Sequence, residues 1–282
     1  MDNKALQAKA LAVRQDIIRE LFESQSGHPG GSLSAADIMT VLFFDEMNVD
    51  PKNPKKKDRD RFVLSKGHAA PVLYAVLAER GYIDKKELMT LRKINTRLQG
   101  HPSRHSLDCI EISTGSLGQG ISAACGMALA AKMDKSPARV YTVVGDGELQ
   151  EGLVWEAAMF ANHYKLSNLV CIVDHNGLQI DGRNDDVMKV MPIAEKFAAF
   201  GWNVIKCDGH NIADIKKALS MVEDNSLEPN VFMERSKTGK PFADFSTALA
   251  KCSKLIKHLE KIPVIDPEMV PEESILNEFI SE

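Results

Sequence analysis

Val140-Tyr141-Thr142-Val143-Val144 runs straight into Gly145-Asp146-Gly147, and a second apolar stretch, Leu169-Val170-Cys171-Ile172-Val173, ends in Asp174-His175-Asn176-Gly177. A short apolar run that stops in a polar, glycine-bearing turn is the pattern of a parallel strand buried on both faces. The glycines let the backbone approach a ligand closely and leave its N–H groups open. Asp146 brings one carboxylate to the end of its strand, Asn176 offers a side-chain amide oxygen, and the Gly177-Leu178 turn can present a carbonyl. One carboxylate, one amide oxygen and one backbone oxygen suit a Mg²⁺ ion that already carries a diphosphate. Gly-Asp-Gly alone is an ordinary turn. Between a strand and a helix, with Asn176 after a second strand, it reads as a site at the carboxyl ends of an open sheet.

Outward from this core, strands alternate with helices. Helical periodicity covers 4–25, and Ser34 is positioned to cap a helix reaching Met47. Arg61 to Ser65 reads as a strand, with a helix opening at Gly67-His68. Asp84 and Glu87 have capping-box spacing for a helix over 85–93. A small-residue helix follows at 121–132, then strand 140–144, helix 151–164, strand 169–173, a helix near 192–199, strand 202–207, a helix near 212–223 and strand 230–234. This order predicts an α/β fold, a doubly wound parallel sheet with helices on both faces. The pattern changes after Arg235, so residues 1–235 are expected to form the binding domain and 236–282 a divergent tail.

Composition narrows the function classes. The 282 residues are 44% hydrophobic and carry a net charge of −4, enough chain for a full core and no basic footprint for nucleic acid. The lysines of 52–57 are followed by Asp58 and Asp60 and read as a solvated loop. No apolar run is long enough to span a membrane, and Met1-Asp2-Asn3 opens no secretory signal, so a cytoplasmic protein is expected. The five cysteines are scattered without metal spacing and read as reduced. His28, His68 and His101 stand beside Gly or Pro in loops, which makes them candidates for one pocket, whereas His163 on a helix reads as surface. Imidazoles exchange protons near neutral pH.

Gly145-Asp146-Gly147 with Asn176 matches the thiamine diphosphate motif. The extension Glu148-Leu149-Gln150-Glu151-Gly152 with Trp155-Glu156-Ala157 resembles transketolase in particular. So do Ser26-Gly27-His28-Pro29-Gly30, Ser65-Lys66-Gly67-His68-Ala69, Gly100-His101-Pro102, the Thr114-to-Gly120 loop and Asp208-Gly209-His210, in the family's order. The resemblance implies transfer of a two-carbon ketol unit from a ketose phosphate to an aldose phosphate, with thiamine diphosphate and Mg²⁺ as cofactors. It assigns Asp146, Asn176 and Leu178 to the metal. His68, Gly115, Leu117, Gly147, Asn176 and Ile180 would contact the cofactor. His28 and His101 would bind the sugar and move protons, and Glu151 would join a carboxylate network across a subunit interface, or simply favour its helix N-terminus.

The family's pyrimidine-binding and third domains, which carry the activating glutamate, have no counterpart in this sequence. The chain is therefore expected to be the N-terminal subunit of a split transketolase, working with a C-terminal, pyrimidine-binding partner chain as two copies of each. It departs from the family at Ser236-Lys237-Thr238-Gly239-Lys240-Pro241-Phe242, where a further active-site histidine usually follows. Two alternatives stand beside this reading. One is a deoxyxylulose-phosphate synthase-like subunit; Leu149-Gln150-Glu151-Gly152 and the His28 loop argue against it. The other is a cofactor-binding subunit without turnover, which the changed segment favours.

Overall fold

The computed structural model describes residues 1–180, 182–222 and 228–235. Five strands form one all-parallel sheet: β1 (Arg61–Leu64), β2 (Val140–Gly145), β3 (Leu169–His175), β6 (Asn203–Asp208) and β7 (Asn230–Arg235), in the order β1-β2-β3-β7-β6. Residues alternate between the two faces of each strand. Tyr141, Val143, Val170 and Ile172 enter the core that includes α1 (Asn3–Ser24), α3 (Ala36–Val41), α4 (Ala70–Arg80) and α9 (Ile212–Ser220). Val140, Val144, Leu169, Cys171 and Val173 enter the opposite core with α5 (Gln119–Met133), α6 (Gly152–His163) and α8 (Ile193–Ala199). Both faces are covered, which is why these strands read as continuous apolar runs. The expected doubly wound sheet is present.

Registration matters for the site. Val140 pairs with Leu169 and Gly145 with Asp174, so the ends of β2 and β3 fall level. β1 ends beside them, its Leu64 opposite Val143. Gly120 allows α5 to seat on the end of β1, since a Cβ there would lie 2.6 Å from the Cα of Ser65.

Three local expectations are revised. Ser34 ends the short helix α2 (Pro29–Ser34) and caps nothing; its hydroxyl is drawn instead to the buried Asp174 carboxylate. α3 starts without a side-chain cap and runs into a π-helical turn, Leu42–Glu46. The segment 85–93 is a 3₁₀ helix over Lys85–Thr90. Asp84 accepts the Lys86 N–H as foreseen, at 2.9 Å, but Glu87 leaves the capping box to hold Arg97 by two bonds of 2.8 Å. After β3 come an unforeseen two-stranded ribbon, β4 (Leu178–Gln179) with β5 (Gly182–Arg183), and the short helix α7 (Asn184–Val187). The segment from Ser236 onward, where the sequence departs from the family, lies outside the described residues.

Candidate functional site

Asp146 sits one residue past β2, 1% exposed. Its two oxygens accept the N–H groups of Gly147 at 2.9 Å and Gly177 at 2.7 Å, so one carboxylate ties the turn after β2 to the turn after β3. Burial raises its pKa, the nearby Asp174 charge adds to that, and the Gly177 N–H opposes it. Among the described residues no Lys or Arg pairs with Asp146; the His175 ring is 4.0 Å away. Asn176 Oδ1 accepts the Leu178 N–H at 2.9 Å, which aims the amide. At Gly147 an added Cβ would stand 3.2 Å from the Cβ of Gln179, so the absent side chain lets the β4 ribbon close over this turn. No group of three or more His, Cys, Asp or Glu side chains that could hold a metal occurs among the described residues. A cation here would rest on one carboxylate with amide and carbonyl oxygens.

Beneath lies a buried polar layer that the sequence reading passed over. Lys66 and Asp174, 1% and 0% exposed in their side chains, form an ion pair, and Ser34 Oγ donates to the same carboxylate oxygen. The lysine offsets Asp174, while the carboxylate of Asp146 has no such partner. Glu148 is the second node. It accepts Ser65 Oγ at 2.5 Å, Gly118 N at 2.8 Å and Gly145 N at 3.0 Å, so it fastens the end of β1, the end of β2 and the start of α5 to one another. Gly118 has φ +80°, and a Cβ there would meet that of Glu151 at 2.9 Å; glycine is required on both counts.

The three loop histidines converge. The rings of His28 and His68 are 5.3 Å apart, edge to face. His101 packs on Gly115, where a Cβ would fall 3.1 Å from the ring. Gly31 faces His68 in the same way, at 3.2 Å from Nε2, and Lys66 Nζ lies 3.8 Å from that point. The His68 pKa is pushed down to about 3, by burial first and then by Lys66, His28 and His101. Burial also lowers His28, helped by Arg92 and His101, and lowers His101, helped by Arg92. All three are neutral imidazoles at pH 7. His28 Nδ1 is buried without a hydrogen-bond partner among the described residues.

Of the other residues named from the sequence, Gly115 and Leu117 lie half-buried on the loop before α5. Glu151 is exposed at the N-cap of α6, and Ile180 is 93% exposed beyond β4. Those two face outward rather than into the cluster. His105 is exposed on the loop after Pro102. His210 is drawn to another place: its Nδ1 is 2.9 Å from Asp37, which also binds Arg14, so the Asp208-Gly209-His210 motif pins the β6–α9 turn to α3. Lys66, Asp174, Glu148 and Arg92 were missed as site groups. Their signal in the sequence was adjacency alone, to His68, Asn176 and Gly147 for the first three.

The profile for "Transketolase, thiamine diphosphate binding domain" matches residues 4–251. The 6-deoxy-6-sulfo-D-fructose transketolase subunit of Clostridium sp. (strain MSTE9) is 43% identical over 235 residues, covering 83% of this chain and 86% of that protein. An apulose-4-phosphate transketolase subunit of Phocaeicola vulgatus is 39% identical, covering 85% of each. Human transketolase is 46% identical over 84% of this chain but only 38% of its own length. The crystal structure of Campylobacter jejuni transketolase superposes with a TM-score of 0.82 at 30% identity, over 98% of this chain and 46% of that one. The chain thus spans less than half of the single-chain transketolases and most of the subunits. This chain belongs to the transketolase family and is built as its N-terminal, thiamine diphosphate-binding part.

Proposed function

We propose that the chain is the cofactor-anchoring subunit of a two-chain transketolase that moves a two-carbon ketol unit between sugar phosphates. The observation that carries this reading is Asp146, a buried carboxylate with no Lys or Arg paired to it among the described residues, on the turn after β2 that it ties to the turn after β3, together with His68 just past β1 packed on His28. The residues fit Mg²⁺ and a diphosphate. The donor set of Asp146, Asn176 and the Leu178 carbonyl is all hard oxygen. The missing side chains at Gly31, Gly115 and Gly147 let His68, His101 and the β4 ribbon come close to these turns, since a Cβ at each would stand 3.1–3.2 Å from them. Bound there, thiamine diphosphate supplies the electron sink for breaking and making a carbon–carbon bond beside a carbonyl.

The work of this chain is to bind, orient and handle protons. Asp146, Asn176 and Leu178 hold the metal. His68, kept neutral by burial and Lys66, donates an N–H toward the diphosphate, and the Gly147 backbone lies alongside. Gly115 and Leu117 line the organic part of the cofactor, and Ile180, exposed outside the histidine cluster on this chain, meets it from the side open to the partner. His28 and His101 hydrogen-bond sugar hydroxyls and pass protons, which a neutral imidazole can do in either direction. Glu151, exposed at the head of α6, reaches across to a second chain. Residues 1–235 serve as the binding domain, followed by the divergent sequence of 236–282. The two subunit-length relatives are named for different sugars, so discrimination between sugars falls to the partner chain, two copies of which join two of this one.

The test is reconstitution. Purified alone with Mg²⁺ and thiamine diphosphate, the chain is expected to show no ketol transfer; mixed with a pyrimidine-binding partner chain, it turns over. Robust turnover by the isolated chain, or none by a pair that binds cofactor, rejects the reading.

A further inference from the structure

Arg92 stands where two site loops meet. Its Nη1 donates to Ser26 Oγ at 3.0 Å, two residues before His28. On its other side it presses on Gly100, the residue before His101: a Cβ at Gly100 would lie 2.8 Å from the guanidinium carbon and 2.9 Å from Nε. The backbone is committed to this placement. Arg92 has φ +59°, a left-handed conformation that non-glycine residues adopt at a cost. It is held there by its N–H bond to the Leu98 carbonyl at 2.9 Å, between the buried side chains of Leu91 and Leu98. A second bond across the same turn, Thr90 to Thr96 at 2.7 Å, stiffens it. Arginine suits this position because its broad planar guanidinium can donate to Ser26 through Nη1 while its remaining atoms lie on Gly100, a reach a compact lysine ammonium lacks.

We propose that Arg92 is a positioning residue that clamps the Ser26–His28 loop to the Gly100–His101 loop and so fixes the two imidazoles relative to each other. The clamp has an electrostatic consequence. The titratable and charged groups facing His28 are Arg92, His101 and His68; those facing His101 are Arg92, His28 and His68. Among the described residues Arg92 is the one permanent cation acting on both, and it favours their neutral forms. His68 answers to a different cation, Lys66.

The experiment titrates the histidine ring resonances of the full chain by NMR, a readout independent of turnover and therefore of the ketol-transfer reading. In Arg92→Gln, His28 and His101 should protonate at higher pH than in the parent, while His68 does not rise. Arg92→Lys, which returns the charge, should restore most of that shift. Gly100→Ala keeps Arg92 but forces the guanidinium away, and should raise His101 and His28 as Arg92→Gln does. In the reconstituted pair, Arg92→Gln should lower kcat about tenfold to a hundredfold, with cofactor affinity unchanged. Parent-like titration of His28 and His101 in Arg92→Gln overturns the proposal. So does an equal rise in all three histidines, which would report general loosening.

Discussion

At the scale of single residues the site is a contest between burial and charge. Asp146 is pulled toward its neutral form by burial, yet two backbone N–H groups hold it in place. A divalent cation would settle the contest in favour of the carboxylate. Asp146→Ala is therefore expected to weaken Mg²⁺–thiamine diphosphate binding by about a hundredfold or more, and Asn176→Ala by about tenfold, within the range metal-site changes produce; calorimetry on the reconstituted complex measures both. The histidines obey the same physics with the opposite sign. His68 has its pKa depressed, so between its ordinary 6.5 and about 3 the unfolded chain binds a proton that the folded one does not. Stability must then rise with pH through that window and be lost on acidification. His68→Phe should flatten the acid limb of a denaturant-unfolding series, and an unchanged slope would show that His68 is not the group responsible. For turnover, His28→Ala and His101→Ala should lower kcat about 10²-fold and leave cofactor affinity close to the parent value.

Elements matter here chiefly through the ends they bring together. Glu148, on the single 3₁₀ turn after Asp146, accepts three donors from three elements. Glu148→Ala would leave the buried N–H of Gly118 and a loosened Gly145 turn, at a cost of roughly 2–4 kcal/mol for losing bonds to a charged acceptor. Cofactor affinity should fall with it, because the cradle loops lose their common anchor. Glu148→Gln, which keeps shape and one acceptor, should cost less by thermal unfolding. A second element-scale feature lies on α1, far from the strand ends. Glu20 is fully buried, with neither carboxylate oxygen hydrogen-bonded, one helical turn from Asp16. Burial raises its pKa well above the usual carboxyl value, and Asp16 adds to the effect. The folded state therefore binds a proton the unfolded state releases, and this contribution to stability is lost as pH rises. Glu20→Met, of similar length and apolar, should raise stability at pH 8 by on the order of 1–3 kcal/mol and by less at pH 5; equal gains at both values would refute the assignment.

For the whole molecule, one group of exposed apolar side chains lies on the α5–α6 layer. Met159, Phe160 and Tyr164 on and just past α6 are exposed, with the Phe160 and Tyr164 rings 4.5 Å apart, and Met133 at the end of α5 is 74% exposed. Exposed aromatic and methionine side chains of this kind offer apolar area to a partner. In sedimentation velocity the chain alone is expected to self-associate, and Phe160→Glu should shift it toward smaller species without altering its fold by circular dichroism. No helix among the described residues is long and apolar enough to cross a membrane.

Sequence by itself determined the elements that repeat a local rule. The strands of 140–144 and 169–173 are legible because burial on both faces demands unbroken apolar runs. Asp146, Asn176 and the loop histidines stand out in the sequence because they sit beside glycine or proline, Asp146 and Asn176 also at strand ends; their roles belong to the proposed function. Tertiary structure alone decided the rest. Ser34 is drawn from a cap to Asp174 across 140 residues, Lys66 pairs with the same carboxylate, and Arg92 bridges two loops from a third. A buried charge must find its partner wherever the fold places one, and no local spacing in the chain records where that is.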